Sequence, residues 1–177
     1  MTETTRAIRV HEYGGPDVLQ MDEIPLAAPG PGEVRLRHTA IGVNYADIHP
    51  RNGRYPLPHL PNCLGSEGAG VVNAVGDGVD FVSVGDRVTY SSGGHALPRG
   101  SYCEARTMTA DRLIALPDNI DDATAAAMTT KGLTRGISYL DPAWYVAWRP
   151  IFNKSDSNVD EVTEETTPDL ETVLYSM

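Results

Sequence analysis

Residues 41–70, IGVNYADIHPRNGRYPLPHLPNCLGSEGAG, crowd Asn44, Asp47, His49, Tyr55 and Glu67 into thirty positions that also hold four prolines and five glycines. Proline and glycine at that density interrupt helices and strand ladders, so the stretch reads as a loop that regular structure cannot absorb. Polar side chains on such a loop, flanked by apolar runs, are free for chemistry because no packed strand commits them to a core. Asn and Asp beside turn residues also suit Asx turns, which satisfy local backbone donors and need no ligand. Both readings stand at this point.

The flanking segments set the fold class. Residues 6–11 and 34–40 alternate apolar with polar side chains, the period of half-buried strands, and the turn cluster PLAAPGPGE lies between them. Residues 70–75, GVVNAV, and 84–90, VGDRVTY, repeat the pattern around the breaker GDGVDF. Residues 91–100 read as a surface loop, and 101–110 as a further strand before the turn ALPDNI. Short strands at this spacing predict a mainly β protein. One helix is expected at about 122–139, where Asp121 or Asp122 can cap the start and an alanine-rich run follows. Gly132 and Gly136 weaken it by about 1 kcal/mol each relative to alanine, which points to close packing or a bend.

At 177 residues the chain suits one domain with a core of its own. A formal charge of -10 argues against nucleic acid as a partner, because a phosphate backbone needs clustered Lys and Arg. Cys63 and Cys103 form no CxxC, so neither a disulfide framework nor a thiolate zinc cluster is expected, and a reducing, cytoplasmic setting fits. No apolar run reaches membrane-spanning or signal-peptide length, so no membrane partner is expected. Residues 141–177 differ in composition: they hold both tryptophans, eight of the 24 acidic residues and two of the 14 basic ones. They divide into an aromatic segment at 143–152, an acidic linker and a last apolar run at 170–175.

The motifs EYGGPDVLQ at 12–20, PGPGEVRLR at 29–37, GVNYADIHPRNGRYP at 42–56, LGSEGAGVV at 64–72, VGDRV at 84–88 and KGLT at 131–134 occur in a fixed order. Together they make the chain similar to the quinone oxidoreductase, zeta-crystallin-like branch of the medium-chain dehydrogenase/reductases, over residues 6 to about 139. The resemblance implies a partly open barrel like that of the GroES co-chaperonin, with one or two helices; no Rossmann domain is expected, because the glycine-rich turn that would open it is missing. It implies a domain at 1–140 and a divergent tail at 141–177. The zinc-dependent alcohol dehydrogenases of this family carry cysteine where Asn44 stands and histidine where Ser66 stands, so no catalytic metal is expected. The family's glycine-rich pyrophosphate turn should follow KGLT, and no GxGxxG or AxxGxxG occurs in the 177 residues.

On this reading the chain holds no cofactor of its own, and NADPH would enter only if a partner chain supplied the nucleotide domain. The expected function is a cofactor-independent cyclase, isomerase or addition catalyst for a carbonyl-containing small molecule. His49 or Asp47 would move the proton, Tyr55 would donate a hydrogen bond to the developing oxyanion, Asn44 would complete the catalytic group, and Thr130, Glu67 and Lys131 would bind substrate. Drift on a loop released from cofactor contact is the competing account of His49. The other readings are a non-catalytic binding or assembly protein, a remnant, and one chain of a two-chain NADPH-dependent quinone or enone reductase. The aromatic segment at 143–152 is expected either to cover the barrel or to form a homodimer.

Overall fold

A computed structural model describes residues 3–92 and 100–139, with side chains as far as residue 133. The expectations placed on the tail segments 143–152 and 170–175 lie outside the described residues. Eight strands and two helices run in the order β1 (Thr4–Val10), β2 (Leu19–Pro25), β3 (Glu33–Gly42), α1 (Ile48–Arg51), β4 (Asn62–Cys63), β5 (Glu67–Val75), β6 (Arg87–Ser91), β7 (Ala105–Thr109), β8 (Leu113–Ala115) and α2 (Asp122–Tyr139). They form a three-stranded sheet, β2-β1-β4, and a five-stranded sheet, β7-β3-β5-β6-β8. All pairings are antiparallel. A bridge between Ala7 and Cys103 ties the sheets together without closing them, so the architecture is the mainly β, partly open barrel expected.

Alternation places the core. Val34, Leu36, Val72, Val88, Tyr90 and Leu113 point to one side of the larger sheet and pack into one buried cluster. Each fully buried aliphatic side chain of this kind contributes about 1.5–3 kcal/mol relative to leaving it in water. A second cluster, Ala69, Leu116, Ala125 and Ala126, lies between that sheet and α2. Small residues are required there because helix and strand come very close. A methyl group on Gly42 would sit 2.3 Å from the Ala126 carbonyl oxygen and 2.5 Å from Glu67 Cγ, so only glycine allows the approach.

Four elements depart from the sequence reading. β2 is an edge strand whose side chains are largely exposed, so it carries no alternation to read, yet it pairs with β1 along seven residues from Thr4↔Pro25 to Val10↔Leu19. β5 begins at Glu67, three residues before the predicted run, because Gly68 and Gly70 pass close to β3 rather than breaking the ladder. β8 is only three residues long. The loop at 41–70 is also less irregular than predicted. Asn44 N–H donates to Asp47 Oδ2 (2.9 Å), which closes a 3-10 turn at Tyr45–Asp47 and starts α1. Pro50 fits inside α1 because the first turn of a helix makes no use of that backbone donor.

Helix α2 occupies the predicted span. Asp121 caps it, accepting from Thr124 N (2.8 Å) and Thr124 Oγ1 (2.7 Å), while Asp122 pairs with Arg87 (2.6 Å) and so pins the helix to β6. Among the described residues no helix is long and apolar enough to cross a membrane.

Candidate functional site

Glu67 opens β5 and is fully buried. Its Oε1 accepts from Asn44 Nδ2 (2.7 Å) and from Lys131 Nζ (3.0 Å), and its Oε2 accepts from the Thr130 backbone N–H (2.6 Å). Lys131 Nζ also donates to Asn44 Oδ1 (2.8 Å), which closes a ring of three side chains. Burial alone would push the Glu67 carboxyl pKa upward. The donors from Thr130, Asn44 and Lys131 outweigh that effect and hold it below the ordinary carboxylate range, so Glu67 is an anion whose charge is already answered. Ser91 Oγ, at the end of β6, meets Thr130 Oγ1 at 2.9 Å and fastens the same turn of α2. Next to it Thr89 Oγ1 and Thr129 Oγ1 meet at 2.8 Å, both buried.

Each member has a structural reason for its position. The approach of α2 at Gly42 sets Thr130 and Lys131 over the start of β5. Asn44 follows directly on β3, in extended backbone before the Tyr45–Asp47 turn, so its amide reaches back toward Glu67. The Lys131 side chain is 58% exposed although it is held at two points. An ammonium has three donors, and this arrangement spends two of them inward. The third can serve an oxygen arriving from solvent.

Of the remaining predicted residues, Asp47 touches the ring through Asn44, while no described hydrogen bond joins His49 or Tyr55 to it. Asp47 is buried and accepts from Asn44 N and from Tyr102 O–H (3.0 Å), a role in shaping the loop. Burial, followed by the charge of Asp47, pushes the Tyr102 hydroxyl pKa well up. His49 lies in α1 with Tyr45 and Tyr55 edge-on to its ring at centroid distances of 5.7 and 5.0 Å. Its Nδ1 is buried without a hydrogen-bond partner among the described residues. Four of the seven predicted residues, Asn44, Glu67, Thr130 and Lys131, are therefore brought together, while His49 and Tyr55 form a separate aromatic group. Ser91, Tyr102 and Tyr45 were not anticipated. Ser91 and Tyr102 lie far from the loop in sequence, and Tyr45 stands inside it as an aromatic residue that is 79% exposed.

A cavity of about 680 Å³ opens on the other side of the loop, between β1, β2 and the end of β3. Asn44 and Asp47 border it, and apolar side chains such as Ile8, Leu19, Met21, Ile41 and Val43 line most of the rest. Neither His49 nor Tyr55 lines this cavity.

Residues 30–118 match the family model described as the alcohol dehydrogenase GroES-like domain. The chain is 49% identical to a quinone oxidoreductase of Pseudomonas aeruginosa over 129 residues, which is 73% of this chain and 38% of the relative. It is 43% identical to quinone oxidoreductase 1 of Escherichia coli over 127 residues, or 72% of this chain and 38% of that protein. This chain belongs to the quinone oxidoreductase family of medium-chain dehydrogenases/reductases. Solved structures of the family superpose on its fold: a quinone oxidoreductase of Pseudomonas syringae gives a TM-score of 0.72 at 42% identity, covering 77% of this chain and 41% of that one. The Escherichia coli enzyme complexed with NADPH gives 0.71 at 41% identity, over 77% and 40%. The chain spans about two fifths of the length of these relatives.

The family raises the question of NADPH, and the N-terminus of α2 does not fit its phosphates. A pyrophosphate seat needs free backbone amides at the positive end of a helix. In α2 that end carries the carboxylates of Asp121 and Asp122, the first capping Thr124 N–H and the second paired with Arg87. A phosphate placed there would meet two negative charges.

Proposed function

We propose that this chain forms the carbonyl-binding part of a quinone or enone reductase, with the Lys131 ammonium as the group that receives the substrate oxygen. The observation that carries this reading is the Glu67–Asn44–Lys131 ring, which fixes a cation at the surface while leaving one donor outward. A carbonyl oxygen gains negative charge as it is reduced, and a preorganised ammonium stabilises that charge without moving. Glu67 aims the Lys131 ammonium, and Asn44 holds it from the second side. No metal is needed for this polarisation. The seat of the hydride donor would be supplied by residues other than those described, in this chain or another, and no step through the donor is assigned here.

The test is binding of a fully substituted quinone, duroquinone, to the 177-residue chain, followed by calorimetry. Lys131→Met should weaken binding at least tenfold, the scale on which one charge-assisted hydrogen bond acts. Unchanged affinity in that variant would remove Lys131 from the site. The same chain should show no saturable NADPH binding.

A second reading, a cofactor-independent isomerase or cyclase, is favoured by one observation. His49 has a buried Nδ1 with lone-pair or donor capacity unspent, and the aromatic ring of Tyr55 stands 5.0 Å away. An imidazole so placed could accept a proton from carbon next to a carbonyl. Exchange of such a proton for deuterium in an enone, without NADPH and lost in His49→Phe, would establish it. Exchange no faster than in buffer would end it.

A further inference from the structure

The topology brings the two cysteines together from 40 positions apart. Cys63, in β4, pairs with Arg9 of β1, and Cys103 pairs with Ala7 on the same edge of the same strand. Partners two residues apart on one strand edge lie about 6.6 Å apart and turn their side chains to the same face. That spacing is at the upper end of the Cα separations, about 4.4–6.8 Å, that a disulfide spans. A methyl group on Gly100 would fall 3.7 Å from Cys63 Cβ, so the segment leading to Cys103 passes directly beside Cys63. Cys63 Sγ also lies 3.3 Å from the Ile8 carbonyl and 3.5 Å from the Tyr102 carbonyl, and Cys103 Sγ lies 3.0 Å from the Gly100 carbonyl. Cys63 is half-buried and Cys103 buried.

We infer that Cys63 and Cys103 form a peroxide-responsive dithiol, in which Cys63 is the attacking sulfur and Cys103 the resolving one. Neither the carbonyl-binding reading nor the isomerase reading uses these thiols, so the inference stands apart from both. The surroundings divide the roles. The hydrogen bond from Cys103, together with the positive charges of Arg106 and Arg9 and the Leu64 N–H, draws the Cys63 pKa down against burial. Contact with Cys63 and burial push that of Cys103 up. Thiolate character and exposure therefore coincide at Cys63, the combination that selects a reactive cysteine.

The oxidant is a hydroperoxide. The Cys63 thiolate attacks one peroxide oxygen, the O–O bond breaks, and the products are a sulfenic acid and hydroxide. The Cys103 sulfur, giving up its proton to that hydroxide, attacks the Cys63 sulfur and displaces a second hydroxide, forming the S–S bond. In sum two thiols and one hydrogen peroxide give one disulfide and two waters, with each sulfur losing one electron and the peroxide gaining two. Tyr102 stands next to Cys103 and donates to Asp47, so the bridge would tie the segment at 101–103 to β4 beside the loop that carries Asn44.

Exposure of the reduced 177-residue chain to a few equivalents of hydrogen peroxide, followed by intact mass and peptide mapping, tests this. The expected product is a monomer lighter by about 2 Da, the two thiol hydrogens, with a peptide joining positions 63 and 103 and full reversal by dithiothreitol. Cys103→Ser should stop at a sulfenic acid on Cys63 that dimedone traps. Cys63→Ser should leave Cys103 unoxidised under the same treatment. The wild-type result needs no variant to fold. Two alkylatable thiols remaining after peroxide, a crosslink between chains only, or sulfinic acid without any bridge would each overturn the assignment.

Discussion

The Glu67 cluster and the His49 loop lie within a few residues of Asn44, yet they are built on opposite plans. In the first, every polar atom of a buried carboxylate has a donor, supplied by Asn44 just after β3 and by Thr130 and Lys131 of α2. In the second, an imidazole sits among aromatic rings with one nitrogen unanswered. A third polar group sharpens the contrast. His38, on β3, has Nδ1 2.7 Å from the Cys103 carbonyl and Nε2 2.9 Å from Tyr90 O–H. A carbonyl only accepts, so Nδ1 carries a proton, and burial lowers the pKa to about 4, which keeps the ring neutral near pH 7. Satisfied polar groups in this molecule hold structure, whereas Lys131 keeps one donor toward solvent and His49 keeps a buried nitrogen without a partner among the described residues.

Breaking the satisfied cluster should cost most. Glu67→Ala removes the acceptor for Thr130 N–H, Asn44 and Lys131 together, and the urea midpoint should report a loss of about 4 kcal/mol. A loss under about 1 kcal/mol would mean that the cluster holds little of the fold.

Acid should act next, through His38. Burial, its largest influence, lowers the His38 pKa from 6.5 to about 4, so the unfolded chain takes up a proton in a range where the folded chain does not. Stability is then whole above pH 6.5 and falls as pH drops toward 4, by about 3 kcal/mol across the window. Glu67, also held below its ordinary range, adds a loss of the same sign beginning lower, as pH falls through the carboxylate region. His38→Gln should flatten the upper part of the curve and leave the lower part, as read by denaturation at a series of pH values.

Gly42→Ala tests whether the approach of α2 builds the cluster. The added methyl cannot fit 2.3 Å from the Ala126 carbonyl oxygen, and a loss of about 2 kcal/mol is expected, with weaker duroquinone binding because Lys131 moves with the helix. His49→Ala should be the mildest of the series. It removes two edge-on aromatic contacts worth about 1 kcal/mol, and the urea midpoint should shift little.

The same contrast explains what could be read from the chain alone. Alternation at residues 34–40 and 84–90 and the alanine run at 123–127 identify β3, β6 and α2, because those elements bury one face against a core. β2 escapes notice since nearly all of LQMDEIP stays exposed and its place is fixed by pairing with β1. The Asn44 and Asp47 pair was legible as turn-forming, and that local role is the one the hydrogen bonds give to Asp47. The bond from Lys131 to Glu67 spans 64 positions, so nothing local announces it. Ordered family motifs suggested both residues, but only the fold supplies their mutual geometry.

Thr130 and Lys131 stand near the middle of one rod. Helix α2 continues eight residues past Lys131 to Tyr139, about 12 Å along its axis, while its first turns are clamped by Arg87 and by Ala125 and Ala126. A rod gripped at one end transmits torque from the other. Any rotation of α2 about its axis would therefore carry Lys131 with it and re-aim the ammonium.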